Sequence, residues 1–363
     1  MPITVYHSFV SPVVDAGNPN EVSPNDWNAA HTVTGAAEVT AQTRNRIVNG
    51  AMQHSQENGN TAGTTQGYLA ADQFNMWFTT SGTMTAQRIQ SVTSNGSADR
   101  LRITVTVADA TLTTTDALLI QQPIEGLRIA DFRWGTATAK QVVLRFGWKS
   151  PAGTYSIRMG NAADNRNYIA NFTISAGQAN TDTEQTFIVP GDTTGTWLKD
   201  TGIGMNLTWT IASGPSFIGV AGWNAAGLFA TASNTNGMAT AGNVFELYDV
   251  GLYLDPQNTG VAPRWEMPDY ADELLTCMRY WYIQQYHMRM SFPTASGFLN
   301  DTLYFPVPMR IGPASTIVAG TRANVTQMLV IVNGLQGARL EMQSTTSGDS
   351  YCIFEYVKLN ARM

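Results

Sequence analysis

What most constrains this chain is a succession of short segments in which apolar and polar residues alternate, each closed by a cluster of Gly, Asn, Asp and Thr. Leu101-Arg102-Ile103-Thr104-Val105-Thr106-Val107 is the clearest of them. Side chains on a β-strand point to opposite faces in turn, so a period of two marks a strand with one face in a core and one in water. Residues 141–148, 155–159, 168–174, 186–189, 205–211 and 244–253 continue the series. Many short strands separated by turn chemistry predict a mainly all-β protein, a jelly-roll-like β-sandwich rather than a βαβ sheet. The surface expected of it is polar but neutral. Charged residues make up 13% of the chain, against about 25% in ordinary soluble domains, and Thr, Ser, Asn, Gln and Gly fill the difference.

The two ends break the pattern. Residues 1–43 read as an extended arm, because Pro12, Pro19 and Pro24 hold themselves and their predecessors extended. Asn18-Pro19-Asn20 and Pro24-Asn25-Asp26 are turn chemistry, and a short helical turn is expected from Pro24 to Ala30. Tyr6, Phe9, Val10 and Trp27 are too few to form a core of their own and are expected to pack on a partner. Residues 44–258 form the predicted sandwich, and Asp255-Pro256-Gln257-Asn258-Thr259-Gly260 marks its end. Residues 259–363 form a small helix-plus-sheet module. Pro268 and the acidic Asp269, Asp272 and Glu273 signal a helix start, with Tyr270, Leu274, Cys277 and Met278 at helical spacing. Strands are expected at 302–305, 327–332, 338–343 and 351–359.

Several function classes are excluded on composition. The net charge of −6 and the absence of a long Lys/Arg cluster speak against nucleic acid. No basic amphipathic helix and no run of about 18 apolar residues suggests a membrane role. Cys277 and Cys352 stand in no metal-type spacing, which predicts buried free thiols rather than a zinc site or a disulfide framework. Histidine is limited to His7, His31, His54 and His287, and no metalloprotease, nucleophile-elbow, P-loop or dinucleotide motif occurs. Hydrolysis of a glycosidic bond needs two carboxyl groups about 5 to 9.5 Å apart. Glu125, Asp131, Asp164, Glu246 and Asp249 are scattered, and no β-helix repeat brings them together. A non-enzymatic chain without cofactor is therefore expected. Gly191-Asp192-Thr193-Thr194-Gly195, with Asp182 and Asp200, offers oxygen ligands of the kind Ca²⁺ takes, but reads as hairpin turns.

Aromatic rings are the remaining chemistry, because a flat ring matches the apolar face of a sugar. Of nine tryptophans, Trp148 and Trp209 fall within clear strands and are expected in the core. Trp134 and Trp197 lie in turn-like, polar contexts, and Trp223 lies in the Gly-rich stretch 219–227. These three are the glycan-binding candidates, with packing or a subunit interface as the other reading of Trp223.

Two stretches resemble bacteriophage tail-fibre and head-fibre proteins. The first is His7-Ser8-Phe9 followed by Pro24-Asn25-Asp26-Trp27-Asn28-Ala29-Ala30-His31. The second runs from Asn243-Val244-Phe245-Glu246-Leu247 to Arg264-Trp265-Glu266-Met267-Pro268-Asp269-Tyr270-Ala271-Asp272-Glu273-Leu274-Leu275-Thr276-Cys277-Met278-Arg279-Tyr280-Trp281. It departs from the family pattern at Met278, where Gln is expected. Arg44-Asn45-Arg46-Ile47-Val48-Asn49-Gly50 is similar to the opening of the sandwiches in such proteins. The resemblance implies a homotrimeric virion fibre or spike protein. Its arm would dock on another virion protein through His7, Phe9, Pro24, Asp26, Trp27, Asn28 and His31, and its sandwich would bind host surface polysaccharide. A capsid decoration or fibre shaft without host ligand is the second reading, and a polysaccharide depolymerase the third. Met1-Pro2-Ile3-Thr4 lacks the pattern of a secretory signal, which fits assembly in the host cytoplasm and release by lysis.

Overall fold

The computed structural model describes residues 3–5, 31–33, 40–318 and 320–363, in two units, Met1–Thr40 and Ala41–Met363. In the first unit β1 (Ile3–Val5) and β2 (His31–Val33) pair antiparallel, with Val5 opposite His31. Of the proposed anchoring residues, His31 thus sits in a strand. His7, Phe9, Pro24, Asp26, Trp27 and Asn28 lie outside the described residues, as does the expected helical turn.

The second unit begins with a sandwich built of β3 (Gly67–Ala71), β4 (Phe74–Thr79), β5 (Thr83–Gln90), β6 (Asp99–Val107) and β7 (Ala117–Glu125). After the one-turn helix α1 (Gly126–Ile129) come β8 (Gln141–Lys149), β9 (Gly153–Gly160), β10 (Asn167–Ile174), β11 (Thr183–Val189) and β12 (Ile203–Ser213). Three short strands, β13 (Ile218–Gly219), β14 (Gly222–Asn224) and β15 (Ala230–Thr231), precede the long β16 (Val244–Asp255). A seven-stranded sheet runs in the order β14-β10-β9-β12-β7-β4-β3 and a five-stranded sheet in the order β11-β8-β16-β6-β5. Their inner faces interdigitate, as packed antiparallel sheets do. Trp148 lies edge-on to Phe172 at 5.5 Å and Phe146 edge-on to Trp209 at 5.7 Å. Trp148 and Trp209 are fully buried, as their strand positions predict. The protein is thus a jelly-roll-like β-sandwich.

Strand β7 carries no alternation, and the structure shows why. Its Leu118-Leu119-Ile120 run is buried on both sides, one face against the five-stranded sheet and the other under residues that cross the sheet's outside. Pro123 is tolerated because β4 pairs only as far as Gln121, so the strand has a single neighbour where the amide hydrogen is missing.

The rest of the unit is α2 (Tyr270–Met278) followed by β17 (Trp281–Phe292), β18 (Phe298–Tyr304), β19 (Ala314–Val318), β20 (Thr321–Ala323), β21 (Val325–Val332), β22 (Gly337–Ser344) and β23 (Gly348–Asn360). The helix begins where the acidic cluster predicts, with the Asp269 carboxylate accepting from the amides of Ala271 and Asp272. Strand β23 is flanked by β17 on one side and by β19 and β20 on the other, and β22 lies between β18 and β21. Leu303, Met309, Leu340, Met342, Cys352, Val357 and Leu359 form a second core, and both cysteines are buried thiols outside any disulfide.

The two cores meet through the segments that carry the fibre-like patterns. The Asn49 amide donates to Glu273 Oε1 at 2.5 Å, and Val48 packs with Cys277 and Tyr280. Arg279 binds the Glu125 carboxylate through two nitrogens, at 2.6 and 3.0 Å, and the Tyr280 hydroxyl donates to the same group at 2.9 Å. No helix among the described residues is long and apolar enough to cross a membrane.

Candidate functional site

The three tryptophans singled out from the sequence meet in one place, but they meet each other. Trp134 packs edge-on against Trp197 at 4.8 Å and against Trp223 at 5.4 Å, and Trp197 lies 6.0 Å from Trp223. Together they close the core at the β14 edge. Trp134 and Trp197 are 2% and 6% exposed. Their indole N–H groups donate to the Lys140 carbonyl at 2.8 Å and to Asp192 Oδ2 at 2.9 Å. Trp223 keeps some surface, but the Arg166 guanidinium covers its ring at 4.9 Å. Arg166 also grips the buried Asp192, donating to Oδ1 at 2.7 Å and to Oδ2 at 3.0 Å. Burial pushes the Asp192 carboxyl up, yet the Arg166, Trp197 and Thr194 donors outweigh it and hold the group below its usual range. This corrects the sequence expectation. Stacking on a sugar needs a free ring face; two of these rings are inside the protein and the third lies under a cation.

The candidate carboxylates are likewise engaged. Glu125 is bound by Arg279, Asp131 by Arg46, and Asp164 by Arg158. Glu246 is surrounded by Arg100, Arg102 and Lys149, and Asp249 accepts from Asn95 at 3.1 Å. In the turn weighed as a calcium site, Asp192 is occupied by Arg166, Asp182 by Arg100, and Asp200 Oδ1 by the Gly202 amide at 2.8 Å. No cluster of three or more His, Cys, Asp or Glu suited to a metal exists among the described residues.

A different surface combines rings with partly exposed, uncharged polar groups: the outer face of the seven-stranded sheet. In β4, Phe74 and Met76 turn into the core, so Asn75 and Trp77 turn outward. Asn75 lies directly opposite Gln121 on β7, which lies opposite Thr208 on β12. Asn206, two residues before Thr208, shares that face and is diagonal to Gln121. Residues 214–235 cross the same face further along. The Thr210 hydroxyl holds them by donating to the Phe229 carbonyl at 2.8 Å, and the Asn171 amide by donating to Thr231 Oγ1 at 2.7 Å. Phe229 and Phe217 from this crossing pack against Trp77 at 6.1 and 6.5 Å. An aromatic wall of the partly exposed Trp77 and Phe217, backed by the buried Phe229, therefore stands beside a strip of three half-buried amides, Asn75, Gln121 and Asn206. The strip carries no net charge, since Arg158 is 1% exposed, paired with Asp164, and covered by the Phe229 ring at 5.1 Å. At one end Tyr68 lies against Asn75. Burial raises its phenol to about 12, so it stays neutral; its hydroxyl donates to the Met363 carbonyl at 2.6 Å, and the Arg362 guanidinium over its ring is paired with Glu57.

Trp77 is not among the candidates read from the sequence; it lies in Phe74-Asn75-Met76-Trp77-Phe78, which holds four apolar residues in five. Parity was the signal that could have found it: with Phe74 and Met76 inward, Trp77 must face out. The amides of β7 and β12 carried no signal, since only strand pairing brings them beside it.

No known family model matches the chain, and no curated protein is similar to it in sequence. Solved structures that share part of its shape include the enzymatically active domain of bacteriophage CBA120 tailspike protein 4. That likeness has 13% identity and a TM-score of 0.32, covering 58% of this chain and 21% of that one. A sugar binding protein from Bacteroides thetaiotaomicron has 14% identity and a TM-score of 0.33, with 58% and 100% covered. The Family 11 carbohydrate-binding module from Clostridium thermocellum, solved with a mixed-linked tetrasaccharide, has 10% identity and a TM-score of 0.27, with 53% and 95% covered. This chain spans about a fifth of the tailspike's length. At such TM-scores the fold rests on the sheet pairing described above.

Proposed function

We propose that this chain is a non-catalytic virion fibre or spike protein that binds uncharged stretches of host surface polysaccharide through the outer face of its seven-stranded sheet. The observation that carries the reading is the Asn75–Gln121–Asn206 strip beside Trp77. A carboxamide offers one acceptor and two donors, so a row of three can pair with successive sugar hydroxyls while the aromatic wall receives the apolar C–H face. The neutrality of the strip suits a neutral polymer, because no unpaired charge has to be stripped of water when it binds. Each contact is weak, and several copies of the chain raise avidity without new contacts; a homotrimer supplies them. The fibre-like pattern in residues 1–43 supports anchoring to another virion protein.

The test is electrophoresis of the purified chain through native gels containing neutral bacterial polysaccharide, β-glucan, galactan or dextran, with polymer size followed by gel filtration. Retardation by one polymer of unchanged size is expected, and Trp77→Ala and Gln121→Ala should each abolish it. Shortening of the polymer would make the protein a depolymerase. Free migration through every gel by a folded oligomer would leave the purely structural fibre reading. Deleting residues 1–40 should prevent incorporation into virions while retardation persists.

A further inference from the structure

We propose that a groove at the tip of the β21–β22 hairpin is a second saccharide site, accepting one or two rings of an uncharged sugar. The groove has a volume of about 460 Å³ and is lined by Thr302, Tyr304, Pro308, Asn333, Leu335 and Gln336, with backbone from the hairpin between them. That size lies in the range of small-ligand sites, on the order of 300–1,000 Å³.

Three observations point to this chemistry. First, the groove sets large apolar side chains in water: Tyr304 is 78% exposed and Leu335 45%. A phenol ring held out this far presents a flat face of the kind that receives the C–H face of a pyranose. Second, the groove is formed before any ligand arrives. The Phe305 amide donates to the Gln336 carbonyl at 2.9 Å and the Met309 amide to the Leu335 carbonyl at 2.8 Å, so both walls are pinned through the backbone. A rigid wall avoids the ordering cost that weakens most shallow sites. Third, the polar side chains are free and neutral. No hydrogen bond among the described residues engages the side chains of Thr302, Asn333 or Gln336, which leaves one hydroxyl and two carboxamides for sugar hydroxyls. None of the lining side chains is ionisable near neutral pH, and the cation opposite Thr302, Arg339, is paired with Glu341 at 3.5 Å.

The groove shares no residue with the sheet face, so the two readings fail separately. The test is saturation-transfer NMR on the full chain with D-glucose, D-galactose, N-acetyl-D-glucosamine and lactose as probes, together with sedimentation velocity. Ring protons of at least one probe should be saturated, equally so in Trp77→Ala. The signal should fall about tenfold in Tyr304→Ala and survive in Tyr304→Phe, since the ring face rather than the hydroxyl does the stacking. Asn333→Ala should weaken it about threefold, roughly the loss of one solvent-exposed hydrogen bond. No saturation of any probe, or an undiminished signal in Tyr304→Ala, would overturn the proposal. So would a Tyr304→Ala variant that dissociates into smaller species, because the groove would then be a contact between copies of the chain.

Discussion

Asn45, Asn49 and Gly50 show how much of this fold is held by single side chains that imitate backbone. Asn45 donates to the Val250 carbonyl at 2.9 Å and accepts from the Leu252 amide at 3.0 Å, stitching the start of the unit to β16. Asn49 stands in the left-handed region, φ 59°, and its amide closes a loop onto the His54 and Asp72 carbonyls at 2.8 and 3.1 Å. A Cβ on Gly50 would lie 2.3 Å from the Val250 carbonyl oxygen. His54 stacks near Tyr270, with ring centroids 4.4 Å apart, and bonds its carbonyl at 3.0 Å. Burial lowers its pKa below the ordinary value of 6.5. The folded form therefore binds the proton less readily than the unfolded form. Its share of stability is present above about pH 6.5 and is lost as pH falls toward the depressed value. Asp72 and Glu273 close by are raised by burial; their folded forms hold protons to higher pH, so they oppose stability as pH rises. His54→Gln should flatten the loss of stability between about pH 7 and about pH 5, read as urea midpoints. An unchanged slope would remove His54 from the account. Asp192→Ala leaves the Arg166 guanidinium without its buried partner and is expected to cost about 2–3 kcal/mol by denaturant melting.

Among the elements, β8 and β16 are matched by an empty space. Gly147 faces Tyr248, and a Cβ there would lie 1.9 Å from the Tyr248 ring. Gly147→Ala must push a fully buried tyrosine or the strand itself, so a loss of at least about 2 kcal/mol is expected in urea. Gly147→Ala combined with Tyr248→Phe should recover little, since the clash is with the ring and not the hydroxyl. Helix α2 depends on its cap: Asp269→Ala forfeits hydrogen bonds of 2.9 and 3.1 Å and should cost about 1 kcal/mol. Asp269→Asn and Asp269→Ser should restore most of it.

Across the whole molecule, the Glu125–Arg279–Tyr280 group is the polar joint between the two cores. Glu125 is 1% exposed, so removing Arg279 leaves a buried carboxylate with only the Tyr280 hydroxyl. Arg279→Ala is expected to cost about 3–5 kcal/mol. Calorimetry should show one unfolding transition splitting into two as the cores uncouple; a single shifted peak would mean the joint is redundant. Arg310 reinforces it by donating to the Ala361 carbonyl at 2.6 Å and the Thr201 carbonyl at 2.6 Å.

Local chemistry by itself determined the strand series, the start of α2 and the choice of a sandwich, because alternation and capping act within a few residues. It could not reveal β7, whose continuous apolar run is explained only by its place between two layers. It placed Trp148 and Trp209 in the core for the right reason, their strand positions. It misplaced Trp134 and Trp197, because burial in a turn is decided by what lies across it, and here that is another tryptophan. The outward face of Trp77 was implicit in the parity of β4. Its company, Gln121 from β7 and Asn206 from β12, arose from the order in which strands 40 and more residues apart hydrogen-bond. A binding face is a property of neighbouring strands, and which strands are neighbours is settled by closing the core, a long-range event that no local pattern encodes.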